Sequence, residues 1–197
     1  MSDLAAIIDF LIEVEKLKAV ERRTSPIGLA RKENSAEHSW HLCVLAILLQ
    51  VKANAHVDML TVLKMLILHD LGEIDAGDTV IYAATEEAAE REEAGMRRLC
   101  QLLPPAKGDE LMALWLEFAK GVSAEAQFAR AIDRVPPIVQ NLQTDGQTWR
   151  PLGISQQQVL AKNDLINEGC APMWAYLLPR INAYFQRSAA TGEADGQ

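Results

Sequence analysis

The sequence predicts an all-α, single-domain fold, and three observations carry that expectation. Apolar residues recur at three- and four-residue steps along almost every periodic segment. No pair of alternating segments reads as neighbouring strands, and no repeat or linker divides the chain. Its 197 residues, 49% hydrophobic and 23% charged, suffice for one sizeable core and argue against wholesale disorder.

The elements follow in order. Leu4, Ile7, Ile8, Leu11, Val14 and Leu17 give the first helix one apolar stripe. "RRTSPIGLARKENS" breaks the period at Pro26 and Gly28 and reads as a loop. Ser35 is expected to N-cap a helix through "AEHSWHLCVLAILLQVKA", with Glu37 in the acid-favouring first turn. Asp58 suits the N-cap of the next helix, which is apolar nearly all round and hence central, and Gly77 suits its stop. Thr85, Glu86 and Glu87 open another helix, closed by Arg97, Arg98 and then Pro104-Pro105. Asp109 and Gly121 bracket a shorter one. Ser123 opens "AEAQFARAIDRVPPIVQNL", which Pro136-Pro137 should kink or break just after Asp133. Segments 155–168 and 172–187 complete the set, with Pro172 fitted to a first helical position. The domain is therefore expected over residues 1–187, with the small, polar residues 188–197 as a flexible tail.

Composition narrows the function classes. A net charge of −8 argues against binding a nucleic-acid polymer or an anionic membrane through a general basic surface, while leaving a small anionic ligand open. Cys43, Cys100 and Cys170 form no C-x-x-C pair, the usage of a reducing compartment. The N-terminal segment carries acids early, unlike a secretory signal. The longest apolar stretch, residues 59–68, is interrupted by Thr61 and Lys64 and is too short to span a bilayer. A soluble, cytoplasmic protein is expected.

Chemistry concentrates in "MLILHDLGEIDAGD", residues 65–78. His69 and Asp70 close an apolar run, where an uncompensated charge costs several kcal/mol. A hydrogen-bonded network, a salt bridge or a metal ion could satisfy them. On one helix, Glu73 would serve the same side as His69 and Asp70. Adjacent helical residues lie about 100° apart in azimuth, so this pair converges only on something near the surface between them. A metal ion fits that description.

Two distant segments extend the pattern. "ENSAEHSWHL" places His38 near a helix start, and "ARAIDRVPPIVQNL" places Asp133 just before the proline pair. Together they give H…HD…D on three helices, flanked by Glu73 and Asp78. On these motifs the chain, over residues 15–149, resembles the HD superfamily of metal-dependent phosphohydrolases. It closely resembles the subgroup that includes the bacterial 5′-deoxynucleotidases and related HD-domain hydrolases.

The resemblance implies one divalent metal ion held by His38, His69, Asp70 and Asp133. Two imidazoles and two carboxylates suit Mn²⁺, Co²⁺, Fe²⁺ or Zn²⁺. It implies Glu73 as the catalytic carboxylate, orienting or deprotonating the attacking water. Asp78 would contact substrate near the sugar or leaving oxygen, and Arg22 in "LKAVER" would hold a phosphate oxygen. The chain carries Arg23 and Thr24 where those deoxynucleotidases place a tryptophan after the arginine. Arg23, Arg31 and Lys32 crowd the same loop and could form an anion-attracting rim. His41 could join a second metal site; His56 is expected exposed, and Asp75 capping or facing solvent. Trp40, Trp115, Trp149 and Trp174 are expected in core or interface packing.

The expected activity is hydrolysis of a nucleoside 5′-monophosphate. One alternative is a phosphodiester or pyrophosphate substrate, such as a cyclic nucleotide or an alarmone. Another is a non-catalytic module that binds metal and nucleotide or a protein partner. The apolar C-terminal helices suggest a homodimer, though a monomer could use them in its own core.

Overall fold

A computed structural model describes residues 3–192, with side chains through residue 189. Nine α-helices occur among these residues: α1 (Asp3–Val14), α2 (Ser35–Leu49), α3 (Met59–Leu68), α4 (Glu73–Ala76), α5 (Glu86–Cys100), α6 (Pro105–Lys120), α7 (Ala124–Gln143), α8 (Gln156–Asn163) and α9 (Leu165–Gly192). The only strand-like pairing among them is an isolated bridge between Glu21 and Asn34. The all-α expectation holds.

Local chemistry sets most helix starts. Asp58, Thr85 and Ser123 cap α3, α5 and α7 through side-chain oxygens that accept backbone N–H groups. At α2 the cap is Asn34 rather than Ser35. Asn34 accepts from the Glu37 N–H at 3.0 Å, and the Glu37 carboxylate accepts from the Asn34 N–H at 2.8 Å. Ser35 becomes the first helical residue, and its hydroxyl serves elsewhere.

Three expected boundaries move. α3 stops at Leu68, because three-residue bonds tighten the chain: Leu71 N–H donates to Leu68 O, and Glu73 N–H to Asp70 O, both at 3.0 Å. His69 and Asp70 therefore sit in a turn between α3 and α4. α6 begins at Pro105 rather than Asp109, since proline at N1 loses no helical hydrogen bond. α7 runs through Pro136 and Pro137 to Gln143, so of the expected kink or break after Asp133 the break does not occur. Burial of Val135, Pro136 and Ile138 offsets the lost backbone bonds.

Two apolar clusters meet at the α3–α4 turn. Leu42, Val62, Leu66, Phe128, Ile132 and Ile181 belong to the larger one. Leu68, Leu71, Met96, Leu99 and Trp115 belong to the smaller. The turn has Leu66 in one cluster and Leu68 and Leu71 in the other, which fixes it from both sides. Each such buried side chain stabilises the fold by about 1.5–3 kcal/mol. Gly72 lets α5 approach: a Cβ there would stand 2.3 Å from the Glu92 carbonyl oxygen. Gly77, at φ 77°, ends α4 in a conformation that β-carbon-bearing residues rarely adopt.

The C-terminal segments serve this chain's own core. α9 buries Ile166, Trp174, Leu177, Ile181 and Tyr184, chiefly against α7. It is interrupted at Cys170 (φ −151°, ψ 73°), just before Pro172. Helix continues to Gly192, past the expected boundary at residue 187; residues 193–197 of the expected tail lie outside the described residues. Trp115, Trp149 and Trp174 are buried, whereas Trp40 is 68% exposed. No helix among the described residues is long and apolar enough to cross a membrane.

Residues 20–35 fold back on themselves. Arg22 N–H donates to Glu33 O at 2.8 Å, Glu33 N–H to Thr24 O at 3.0 Å, and Ser35 N–H to Val20 O at 3.0 Å. This clip places Arg22 and Glu33 side by side at the start of α2.

Candidate metal centre and active site

α2, the α3–α4 turn and α7 converge on one point. His38 Nε2 lies 3.0 Å from Asp133 Oδ1, and His69 Nε2 lies 3.6 Å from the same oxygen. One side-chain ligand atom from each of these three residues falls within 4.8 Å of the others. Asp70 joins through His69: its Oδ1 is 2.9 Å from His69 Nε2, while its Oδ2 accepts from Arg22 Nη1 at 2.9 Å.

The hydrogen bonding around His69 favours a cation. Its Nδ1 lies 2.9 Å from the Leu66 carbonyl oxygen, an acceptor only, so Nδ1 carries the proton. Nε2 is then a lone pair, buried, facing carboxylate oxygens and without a hydrogen-bond partner. A lone pair held against two carboxylates needs a proton or a metal ion between them. Burial alone would lower the pKa of His69, but Asp70 and Asp133 more than offset it and hold it well above the ordinary range. Burial would likewise raise Asp133, yet the His38 and His69 imidazoles beside it keep it well below the usual carboxylate range. The residues present fit a divalent ion on these grounds, and the N₂O₂ donor set suits first-row transition ions.

Glu33 stands behind His38. Its Oε2 lies 3.6 Å from His38 Nδ1, and the carboxylate also accepts from Thr24 Oγ1 and Gln140 Nε2, each at 3.1 Å. Carboxylates in this place orient a ligating imidazole and fix its tautomer. No local pattern announces Glu33: it reaches His38 only because the clip folds back. Ser35 was legible as a capping residue, but its hydroxyl donates to Glu73 Oε2 at 2.6 Å instead. The Trp115 indole N–H donates to the His69 carbonyl at 2.9 Å and pins the turn from α6.

Glu73 is buried beside the ligands. Burial, then the Asp70 carboxylate, pushes its pKa up to about 9, against the pull of Arg22 and Ser35. A bound divalent cation reverses that field and favours the carboxylate. Arg22 is enclosed by acids: besides Asp70, Asp78 Oδ1 lies 3.7 Å from Nη1, and Glu33 Oε2 lies 3.7 Å from Nε. Asp78 is raised chiefly by burial, then held down in part by Arg22.

Two adjoining cavities share Arg22, Asp78, Thr79, Ile81, Asp133 and Arg134. The first, about 570 Å³, has walls that include Tyr82, Pro137, Ile138, Asn141, Thr148 and Trp149. Trp149 donates to the Tyr82 hydroxyl at 3.2 Å and stacks on Phe185, so its ring is fixed. The second, about 1110 Å³, has walls that include His69, Asp70, Glu73, Glu92, Arg130 and Lys162.

The structure thus brings together His38, His69, Asp70, Asp133, Glu73, Arg22 and Asp78. It leaves others out. His41 is exposed and stacks on Trp40, and His56 is exposed in its connector. Asp75 is bound bidentately by Arg98. Arg31 pairs with Glu37, and Lys32 donates to the Arg23 carbonyl, whereas Arg23 lines the cavity next to the cluster.

Helices arranged around a His-His-Asp-Asp cluster define a known class. The family model described as the HD domain matches residues 14–174, and the chain belongs to the HD-domain family. It is 39% identical to a crystallised protein of Magnetospirillum magnetotacticum MS-1 described as a predicted metal-dependent phosphohydrolase. That similarity has a TM-score of 0.90 and covers 95% of this chain and 98% of that one. It is 31% identical to the Bos taurus protein named 5′-deoxynucleotidase HDDC2, over 68% of this chain and 65% of that protein. The Homo sapiens protein of the same name is 29% identical, over 68% of this chain and 66% of that protein. The match spans just under two thirds of these relatives' length.

Proposed function

We propose that the protein is a metal-dependent phosphohydrolase that cleaves nucleoside 5′-monophosphates, deoxynucleotides among them. The observation that carries this reading is the His38–His69–Asp133 cluster with Glu73 beside it, in a cleft that adjoins a cavity lined by aromatic, apolar and amide side chains. The names of the relatives support the substrate class.

Bound by His38, His69, Asp70 and Asp133, an ion such as Mn²⁺, Co²⁺, Fe²⁺ or Zn²⁺ would polarise the phosphate and acidify water at the site. Glu73 takes the proton of the attacking water, held in place by Ser35. Water oxygen bonds to phosphorus, the bond to the 5′ oxygen breaks, that oxygen takes up the proton Glu73 removed, and nucleoside and inorganic phosphate leave. Arg22 keeps Asp70 in position and presents Nη2 to a phosphate oxygen. Asp78 faces the sugar or the leaving oxygen. Trp149, Ile138, Pro137 and Asn141 line the space for the nucleoside. His41, exposed and away from the cluster, gives no support to a two-metal diesterase.

A homodimer and a cytoplasmic location belong to the same reading. α9 is used within the chain, but α2 exposes Trp40, Val44, Ile47 and Leu48, followed by Val51, a stripe at helical spacing suited to a second copy. Cys43, Cys100 and Cys170 carry no disulfide, as a reducing compartment requires.

The test is phosphate release from a panel of ribo- and deoxynucleoside monophosphates by EDTA-stripped protein, with each divalent ion restored in turn. Metal-dependent release from deoxynucleotides is expected. Silence across the panel, in protein that holds metal, overturns the reading.

A further inference from the structure

We propose that Arg134 is a substrate-binding residue whose guanidinium grips the non-bridging oxygens of the phosphate from the α7 wall of the cleft. The identity of the anion rests on the phosphomonoesterase reading above.

The charge around the site requires a second cation. Asp70 and Asp133 offset a divalent ion, and a phosphate monoester brings further negative charge. Arg22 contributes little net charge, since Asp70, Asp78 and Glu33 all lie within 3.7 Å of its nitrogens. Arg134 stands differently. It follows Asp133 on α7 and lines both cavities, where nucleoside and phosphate compartments join. Its nearest carboxylate oxygen, Asp133 Oδ2, is 3.9 Å from Nε, too far for a hydrogen bond.

Arg134 Nε is buried without an acceptor, and the side chain is only 21% exposed. A guanidinium offers five donors in a planar fork, and leaving them unmet in a cleft is costly unless a ligand supplies the acceptors. Arg130 on α7 and Lys162 on α8 also line the second cavity, neither with a carboxylate within ion-pair distance among the described residues, together with Asp70, Glu73 and Glu92. Arg130 is anchored elsewhere, donating to the Ala119 carbonyl at 3.4 Å. Arg134 is thus a guanidinium beside a ligand, Asp133, whose Nε has no acceptor and whose charge, unlike that of Arg22, is not shared among three carboxylates. A phosphate between the metal ligands and Arg134 satisfies the fork by bidentate pairing.

A purely structural role is distinguishable. If Arg134 only positioned Asp133, its loss would lower metal content, and activity per bound metal would be unchanged. The experiment compares metal-loaded wild type with Arg134→Gln and Arg134→Lys. It measures metal content, calorimetric affinity for inorganic phosphate, and kcat/KM on a nucleoside monophosphate. For Arg134→Gln the expected result is retained metal, phosphate affinity weaker by about 10-fold or more, and kcat/KM lower on the order of 10²-fold. Arg134→Lys should regain part of the phosphate affinity, since it keeps the charge without the fork; it also serves as the folded variant if glutamine is not tolerated.

Unchanged phosphate affinity and kcat/KM in metal-replete Arg134→Gln would overturn the proposal, as would a defect that metal loss fully explains. Wild type that binds phosphate in an Arg134-dependent way, yet hydrolyses no monophosphate, would uphold Arg134 and overturn the phosphomonoesterase reading. Wild-type turnover that Arg134→Gln matches would do the reverse.

Discussion

Ser35 Oγ donates a 2.6 Å hydrogen bond to Glu73 Oε2, tying the first residue of α2 to the carboxylate that opens α4. Both residues are buried. The bond favours the ionised carboxylate and pulls its pKa down, against burial and Asp70. Ser35→Ala should therefore move the acid limb of the kcat–pH profile to higher pH while metal content stays at the wild-type level. A limb that stays in place, or moves lower, would break the link between these two residues.

Glu73 also sets a sign for stability in the metal-free protein. The unfolded carboxyl ionises near 4.5, whereas the folded one keeps its proton up to about 9. Between those values the folded state binds more protons, so this group's contribution to stability falls as pH rises. Glu73→Gln has no such proton to lose. The melting temperature of metal-free Glu73→Gln, minus that of metal-free wild type, should grow from about pH 5 to about pH 9. The same variant, loaded with metal, should lose roughly 10²–10⁴-fold in kcat. A pH-independent gap, or an unchanged rate, contradicts these assignments.

Glu33→Gln tests the support behind His38. The variant keeps the shape that Thr24 and Gln140 pack against but loses the charge facing His38 Nδ1. Metal affinity should fall by about 10–100-fold, the usual effect of removing such a partner. Equal affinities, measured by competition with a chelator, would make Glu33 a packing residue only.

Gly72→Ala tests how closely α5 must approach the turn. Its Cβ would meet Glu92 backbone at 2.3 Å and 2.9 Å, and backbone cannot swing away as a flexible side chain can. Denaturant unfolding should show a loss of about 1–3 kcal/mol, the range for overpacking. Metal affinity should fall with it, because Gly72 follows His69 and Asp70 in the same turn. Wild-type stability would mean that α5 moves without cost.

Much of this was legible in the sequence because it is local. Caps at Asp58, Thr85 and Ser123 and the apolar stripes marked the helices, and the family resemblance carried by the motifs around His38, His69-Asp70 and Asp133 marked residues of which His38, His69 and Asp133 cluster in the fold. What stayed hidden depends on contacts made only after folding. α3 ends before His69 because the turn is clamped between two apolar clusters and by Trp115, none adjacent in sequence. Glu33 reaches His38 through a fold-back in a stretch that reads as plain loop. The apolar C-terminal segments fitted a subunit interface equally well until α9 was seen against α7.

The central claim is one divalent ion held by His38, His69, Asp70 and Asp133. The most direct measurement is titration of Co²⁺ into EDTA-stripped wild type, His38→Ala and Asp133→Ala, with bound metal counted by elemental analysis after desalting. Wild type should retain one equivalent and both variants should lose it, with a lower melting temperature for each metal-free protein than for the loaded wild type. Full occupancy in both variants would contradict the account.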